Sequence, residues 1–298
     1  MPAEKINNET EQSGKERQGK MHPIANHLIQ LQELGLIRDE QQVTVGRKHL
    51  DTLDESIRDM TQKLPQDVRV LYRKLKEKDP IVIAPISQDV CSLCGMRLPI
   101  SLIQAVRMEK DVHSCPNCAR MLYYPESPPR RVSQRTSRVG RRKVGISRFS
   151  SHSLMIPALE SNDVEGAIGE LTQLMEAEGY VTGADKLAEE ALRREAILST
   201  AVDSGLAFPH VRGVEGGGLA LALGISPKGI KFDERSRRLT RIVFFLAIPT
   251  AAAAFYLKLL SGLATTFSDA ESREALMAAT DAEALWKALC KQTRTTIK

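Results

Sequence analysis

Two cysteine pairs of identical spacing constrain this chain of 298 residues more than any other feature of its sequence. Cys91 and Cys94 form one CxxC pair, Cys115 and Cys118 form the other, and twenty residues separate the pairs. Each pair of thiolates can hold one edge of a tetrahedron, so two pairs complete the ligand shell of one zinc ion. Because no ligand position is left for water, the sequence predicts a structural zinc site.

Redox and disulfide roles explain these cysteines less well. A thioredoxin-like CxxC needs a single pair, so the second pair would have no role. Structural disulfides belong to exported proteins, and the first twenty residues contain no apolar stretch of the kind that a secretory signal has. We therefore expect a cytoplasmic protein. Cys290 has no partner in this pattern and is interpreted as a small buried hydrophobe.

The length predicts two folded units with room for a third small one. With 42% hydrophobic and 27% charged residues, the composition is that of a globular protein. The longest apolar run, from Ile242 to Leu257, is interrupted by Pro249 and is shorter than the ~18 to 20 residues that span a bilayer, so we expect no membrane insertion. Changes in composition predict a disordered tail (1–20), a helical hairpin or coiled coil (21–79), a C4 zinc ribbon (80–124), a basic flexible linker (125–151) and a C-terminal domain (152–298).

Apolar residues in the 21–79 segment recur at helical spacing. One stripe runs from Ile24 to Leu34, and a second runs from Leu50 to Leu75 in steps of three and four residues. We predict a break at Pro65, because a proline disfavours helical geometry in the residue before it. Plain helix packing is favoured over a partner-binding coiled coil, since the apolar seam is shorter than several heptads.

The net charge of +5 is concentrated in one segment. Residues 126–150 contain eight basic residues and one acidic residue, a local charge of +7, and the rest of the chain sums to −2. The segment is rich in Pro, Arg, Ser and Gly without an apolar period, which indicates a linker that lets the flanking units move independently. A weak contact with an acidic partner or a nucleic acid stays open, but aromatic residues for stacking on bases are only 4% of the chain.

The C-terminal segment alternates helical patterns with short apolar runs. The runs at Leu219 to Ile225 and Ile242 to Ile248 predict strands that are buried on both faces. Helices are predicted from a cap at Asp163 through Ala177, from about 184, over 252–267 and over 281–289. This alternation predicts an α/β sandwich.

The cysteine segment resembles the C4-type zinc-ribbon domain that follows a coiled-coil hairpin in a group of bacterial proteins. The resemblance rests on CSLCG and HSCPNCARMLYY and covers about residues 24–124. It implies an adaptor that binds protein or nucleic acid and performs no catalysis.

One histidine lies in an unusual sequence context. The run REAILSTAVDSGLAFPH, from Arg194 to His210, resembles the active-site motif of the fructose, mannitol and nitrogen-regulatory enzyme IIA domains of the bacterial phosphotransferase system. The resemblance extends over about 154–289 and includes GIKF and FFLAIP. It implies a central mixed sheet flanked by helices. It also implies that His210 accepts a phosphoryl group from the phosphorylated carrier HPr.

The residue types of this motif suit phosphoryl transfer, because a neutral imidazole is nucleophilic and the transferred group requires positive charge around its oxygens. Arg194 precedes His210 by sixteen residues and matches the active-site arginine of the family, whereas Arg212 is proposed from sequence proximity alone. Thr200 is a further supporting residue. Tyr256 stands where the family usually has a second histidine, and its hydroxyl can donate a hydrogen bond but carries no positive charge.

These observations lead to one favoured function and two alternatives. The favoured function is a cytoplasmic regulatory phosphocarrier whose phosphorylation state alters what the zinc-ribbon and helical part engages, with an unidentified regulated protein as partner. Whether the chain counts as an enzyme, as a phosphohistidine-forming phosphotransferase component, stays open. The alternatives are a phosphorylation-independent protein-binding adaptor and, less favoured, a nucleic-acid-binding protein that uses the ribbon and the basic linker.

Overall fold

The computed structural model describes residues 23–44, 50–108, 110–125, 144–214, 218–233, 236, 238–249 and 252–297. The tail predicted over 1–20 and most of the basic linker therefore lie outside the described residues.

Three helices form the first part of the described chain. They are α1 (Pro23–Thr44), α2 (Asp51–Gln62) and α3 (Gln66–Lys76). The predicted break at Pro65 is confirmed, because α2 ends at Gln62 and Pro65 takes extended backbone angles immediately before α3. The apolar stripes of α1 and α3 face each other in one core, which includes Leu28, Leu31, Val68, Tyr72 and Leu75.

A small three-stranded sheet follows. It consists of β1 (Ile83–Ser87), β2 (Val90–Cys91) and β3 (Met121–Tyr123), with β1 in the centre, antiparallel to β2 and parallel to β3. A short helix that the sequence analysis did not predict, α4 (Ile100–Arg107), lies between β2 and β3. Val82, Ile83 and Met121 belong to the same core as α1 and α3, so the ribbon and the N-terminal helices form one packed unit.

The second half of the chain is built on a six-stranded mixed sheet. Its strands are β4 (Met155–Ile156), β5 (Ala201–Val202), β6 (Leu206–Ala207), β7 (His210–Val214), β8 (Ala220–Ile230) and β9 (Thr240–Pro249). The order is β4-β8-β9-β6-β5, and β7 also pairs with β9. The two long strands, β8 and β9, are antiparallel. Strand β9 contains the whole apolar run that predicted it, and β8 contains the other run except for Leu219.

Helices cover this sheet, which confirms the predicted α/β sandwich. They are α5 (Val164–Ala177), α6 (Ala184–Ile197), α7 (Ala253–Ser268), α8 (Ala270–Met277) and α9 (Ala282–Gln292). Of these, only α8 was not predicted. Helices α5 and α6 pack together, α7 contacts β9, and α9 contacts β4. Nowhere in the described ranges does a helix combine the length and the apolarity needed to span a membrane.

The C-terminal core begins earlier than the predicted boundary at residue 152. Ile146 and Phe149 lie within the range predicted as linker, yet both are buried in the core of the mixed sheet. The Ser150 hydroxyl donates to the Leu221 carbonyl oxygen over 2.7 Å, and the Leu221 amide donates to the Phe149 carbonyl oxygen over 2.8 Å. Two apolar residues in a segment rich in Arg and Ser were too weak a pattern to indicate this packing.

The N-terminal helices contact the C-terminal domain, although the predicted linker led us to expect independent units. Helix α1 packs against α7. The Gln41 side-chain amide donates to the Ser199 carbonyl oxygen over 3.2 Å, and Arg212 forms an ion pair with Glu33 over 2.6 Å. Contacts between residues so distant in sequence produce no periodic pattern, so the sequence did not predict them.

The predicted N-cap of α5 can be tested by mutation. The Asp163 carboxylate accepts a hydrogen bond from the Gly166 amide over 2.7 Å. We expect Asp163→Ala to lower the free energy of unfolding by about 1 kcal/mol, because an amide at the helix start loses its acceptor, whereas Asp163→Asn keeps an acceptor and costs little. Urea denaturation followed by the fluorescence of the single tryptophan, Trp286, measures both. An equal loss in the two variants would contradict the capping role.

Candidate functional site

His210 is placed at the start of β7 by a parallel pairing in the mixed sheet, where it lies opposite Leu246 of β9. Its ring is almost completely buried, with 2% of the residue exposed. Nδ1 lies 2.9 Å from the Phe208 carbonyl oxygen. A carbonyl oxygen can only accept, so Nδ1 carries a hydrogen and Nε2 holds the lone pair of the neutral ring. The nucleophilic atom of His210 is therefore Nε2.

Two arginines lie near His210, Arg194 buried and Arg212 with 12% of its side chain exposed. Arg194 belongs to the last turn of α6, and one of its guanidinium nitrogens donates to the Leu198 carbonyl oxygen over 2.8 Å. Arg212 lies two positions after His210 in β7, and alternate residues of a strand share a face. The structure thus brings both proposed arginines to the histidine, one through a helix end and one through a strand.

Tyr256 closes another side of the cluster. It lies in the first turn of α7 and is 1% exposed, and its ring centroid is 5.9 Å from that of His210. Its hydroxyl donates a hydrogen bond to a carboxylate oxygen of Glu40. Burial raises the pKa of Tyr256 well above its usual value, and the Glu40 carboxylate raises it further, so the hydroxyl keeps its proton.

Glu40 of α1 lies at the centre of the cluster and is 3% exposed. Its carboxylate contacts the four side chains that surround it, those of Arg194, His210, Arg212 and Tyr256. Oε1 lies 3.0 Å from Nε2 of His210, and Oε2 accepts from Arg194 over 2.7 Å. Burial acts to raise the pKa of Glu40, but the charges of Arg212, His210 and Arg194 outweigh it and hold this pKa well below its ordinary value.

Sequence reasoning missed Glu40, although the sequence contained a signal for it. Leu36 and Ile37 are buried, and helical spacing carries their face to position 40. A glutamate at a position where the pattern demands an apolar residue indicates a buried partner of opposite charge. Glu33 precedes Ile37 by four residues on the same side of α1 and pairs with Arg212.

Thr200 does not join this cluster. Its hydroxyl donates to Glu195 Oε2 over 2.8 Å, and its amide donates to Oε1 of the same carboxylate over 2.6 Å. Within the described residues no hydrogen bond connects Thr200 to His210. Thr200 and Ser199 instead hold Glu195, whose pKa burial raises despite these hydrogen bonds.

The four predicted zinc ligands converge in the ribbon. Their sulfur atoms all lie within 4.8 Å of one another. The distance is 3.8 Å between Cys91 Sγ and Cys118 Sγ, and 3.7 Å between Cys94 Sγ and Cys115 Sγ. Tetrahedral zinc with Zn–S bonds of about 2.3 Å separates its sulfur ligands by about 3.8 Å. The donor set and its spacing therefore fit one zinc ion with a closed ligand shell.

The two cysteine turns have the same backbone form with different residues. Gly95 has φ +71° and donates its amide to the Cys91 carbonyl oxygen, and Ala119 has φ +61° and donates to the Cys115 carbonyl oxygen in the same way. Glycine takes this left-handed conformation readily because it has no Cβ, whereas alanine adopts it at an energetic cost. The structure shows that the alanine nevertheless adopts the left-handed conformation that the turn requires.

Two family models match the chain. Residues 149–292 match the family described as phosphoenolpyruvate-dependent sugar phosphotransferase system, EIIA 2, and residues 90–122 match the C4-type zinc ribbon domain. Both resemblances drawn from the sequence are thereby confirmed, and zinc is the cofactor that the second family and the cysteine geometry identify.

Three curated relatives match the C-terminal half. The nitrogen regulatory protein of Bradyrhizobium diazoefficiens is 31% identical over 137 residues, which are 45% of this chain and 88% of the relative. The fructose-specific EIIA component of Haloferax volcanii is 30% identical over 115 residues, which are 39% and 75%. The fructose-specific EIIABC component of Bacillus subtilis is 28% identical over 127 residues, which are 43% and 20%. The chain thus spans about a fifth of the length of the third relative.

The zinc site can be tested against the fifth cysteine of the chain. We expect native mass spectrometry to find about one zinc ion per chain in the wild type and none in Cys118→Ser, because the serine hydroxyl is a poor replacement for a thiolate ligand. Cys290→Ser is the matched control, since Cys290 lies in α9 and is not part of the cluster. Loss of zinc in both variants would contradict the assignment.

Proposed function

We propose that this chain, which belongs to the phosphoenolpyruvate-dependent sugar phosphotransferase system EIIA 2 family, is a regulatory phosphocarrier that accepts a phosphoryl group on Nε2 of His210. The phosphocarrier or regulatory role follows from the family. The observation that supports the site is that Arg194, Arg212 and Tyr256 all contact the Glu40 carboxylate, one oxygen of which lies 3.0 Å from that nitrogen. We place its action in the cytoplasm, with phosphorylated HPr as the donor.

The cluster contains more hydrogen-bond donors than its present carboxylate satisfies. The donors Nε of Arg194 and Nη1 of Arg212 are buried and have no acceptor in good hydrogen-bond geometry among the described residues, and Nε2 of His210 is likewise buried without a hydrogen-bond partner there. Buried donors without acceptors are unusual in proteins. A phosphoryl group has three terminal oxygens and a carboxylate has two, so the former satisfies such a site better.

The transfer is a displacement at phosphorus. The lone pair of Nε2 forms the new N–P bond while the P–N bond of the donor phosphohistidine breaks and its electron pair returns to the donor nitrogen. A donor ring that carries a proton on its other nitrogen leaves as neutral imidazole. His210 becomes a phosphorylated imidazolium whose Nδ1–H still donates to the Phe208 carbonyl oxygen.

The neighbouring side chains act on the charge of the transferred group. In a loose transition state, negative charge spreads over the three equatorial oxygens, and fixed positive groups stabilise it without reorganisation. Arg194 and Arg212 supply two such charges. The Tyr256 hydroxyl supplies a neutral donor in place of the second histidine that the resemblance leads us to expect.

A regulatory role is favoured over sugar transport because the same chain carries a zinc ribbon and helices that contact the EIIA domain. The nitrogen regulatory relative matches over most of its length, which agrees with this choice.

One observation favours a second candidate, a phosphorylation-independent adaptor. His210 is 2% exposed in this conformation, and a docked donor could not reach it without a movement of α1.

Phosphorylation of purified protein separates these two functions. We incubate the chain with phosphoenolpyruvate, enzyme I and HPr, and expect acid-labile label on wild type that is absent from His210→Ala. His152→Ala is the matched control, because His152 is exposed at the surface of the same domain, and it should label like wild type. Mass spectrometry and phosphorus NMR should locate the group on Nε2 of His210.

Two results would contradict this function. One is label on a residue other than His210. The other is an absence of label after hours of incubation both in wild type and in Glu40→Gln, where the carboxylate that contacts Nε2 has lost its charge. Either result would favour the adaptor.

A further inference from the structure

Helix α1 brings two carboxylates to the cluster to which we assign the phosphoryl group, Glu40 at its centre and the partly exposed Glu33 at its edge. Glu40 contacts Nε2 of His210 and both arginines, and Glu33 pairs with Arg212 over 2.6 Å. These side chains come from a helix that is not part of the EIIA domain. Residues 33–44 of α1 are called the plug below.

We propose that the plug is a built-in inhibitor of the phosphoryl site, so that docking of the plug and phosphorylation of His210 exclude one another. The proposal rests on the proposed function and adds the regulation of the same site. In the docked state Glu40 occupies the place of the phosphoryl group. Phosphorylation releases the plug together with the helices and zinc ribbon that are packed on it.

The contact between Glu40 and His210 leaves Nε2 without the free lone pair that a nucleophile needs. Since Nδ1 holds a hydrogen for the Phe208 carbonyl oxygen, neutral His210 has its lone pair on Nε2, which lies 3.0 Å from a carboxylate oxygen. Two lone pairs repel at that distance, so the contact is attractive only when Nε2 carries a proton. A protonated Nε2 has no electron pair with which to attack phosphorus.

The charges also prevent the carboxylates of the plug and a phosphoryl group from occupying the site at the same time. Two arginines can balance the carboxylates of Glu33 and Glu40, or a phosphoryl group of about two negative charges. With both present, about four negative charges would face two guanidinium groups and one imidazolium ring, and the carboxylate of Glu40 is buried among them. Repulsion between like charges is strongest where water is excluded, so the phosphorylated site expels the carboxylates.

The remaining contacts of the plug explain how a local change reaches the ribbon. Beyond its ion pairs, the plug holds the EIIA domain through packing on α7 and through the hydrogen bond from Gln41 to the Ser199 carbonyl oxygen. Toward the ribbon, α1 shares a core with Val82 and Met121, and the Gln32 side-chain oxygen accepts from the Val82 amide over 2.7 Å. Loss of the ion pairs therefore releases the packed unit of helices and ribbon, which includes the zinc site.

The rate of phosphorylation tests the proposal. We expect Glu40→Gln to take up phosphate from HPr at least about tenfold faster than wild type, because the neutral amide no longer pairs with the arginines and the docked fraction falls. Asp39→Asn is the matched control. It makes the same charge change on the neighbouring position of α1, where Asp39 pairs with Lys76 and Arg38 and not with the cluster, and it should react at the wild-type rate.

Hydrogen exchange gives a readout that does not depend on a variant at position 40. We expect amides of residues 33–44 to exchange at least about tenfold faster in the phosphorylated chain than in the unphosphorylated chain. His210→Ala treated in the same way should show no such change. Amides of α5, on another part of the EIIA domain, serve as the internal reference.

The outcomes distinguish this inference from the function on which it rests. If Glu40→Gln and wild type acquire label on His210 at equal rates, or if hydrogen exchange in the plug is unchanged by phosphorylation, the inhibitory role of the plug is disproved. The phosphocarrier function then stands. If neither protein acquires label, both the phosphocarrier function and the inhibitory role of the plug are disproved. Faster labelling of Glu40→Gln with faster exchange in the phosphorylated wild type supports both.

Discussion

The carboxylate of Glu40 cannot be buried alone, because an ionised group removed from water is unstable without partners of opposite charge. It obtains them from Arg194 at the end of α6 and from Arg212 on β7, two residues of a different domain. The arginines are largely buried as well and need an anion for the same reason. This mutual requirement determines where α1 lies, and hence where the helices and ribbon attached to it lie, in the present state of the chain. A competing anion bound to the two arginines would replace Glu40 and so remove the interaction that holds α1 in place.

The zinc site contributes to this arrangement through packing rather than through chemistry. The ribbon has a small core and short strands, so a metal that ties Cys91 and Cys94 to Cys115 and Cys118 supplies cohesion that burial alone would not. The strands held in this way present Val82 and Met121 to α1. The zinc site, α1 and the cluster around His210 are thus linked by continuous contacts, as the proposed regulatory role requires.

Tyr256 stands where the resemblance leads us to expect a second histidine. A second histidine at that position could become positively charged and hold a phosphoryl group. The tyrosine stays neutral, since burial and the charge of Glu40 raise its pKa, and its hydroxyl donates a hydrogen bond to the carboxylate. A neutral donor stabilises either anion, the carboxylate of the plug or the phosphoryl group, without adding charge that favours one of them.

The sequence was sufficient for features that depend on spacing within one segment. The cysteine pairs, the break at Pro65, the cap at Asp163 and the strands around Leu221 and Phe245 could be predicted in this way, because each follows from a period or a turn, whereas the motif that ends in His210 was identified by its family resemblance. The contact of Glu40 with His210 and the hydrogen bonds of Thr200 to Glu195 became known only from the tertiary structure. These are contacts between single side chains across long stretches of chain, and such contacts impose no repeat on the sequence. Whether a histidine is open or covered is decided by the fold as a whole.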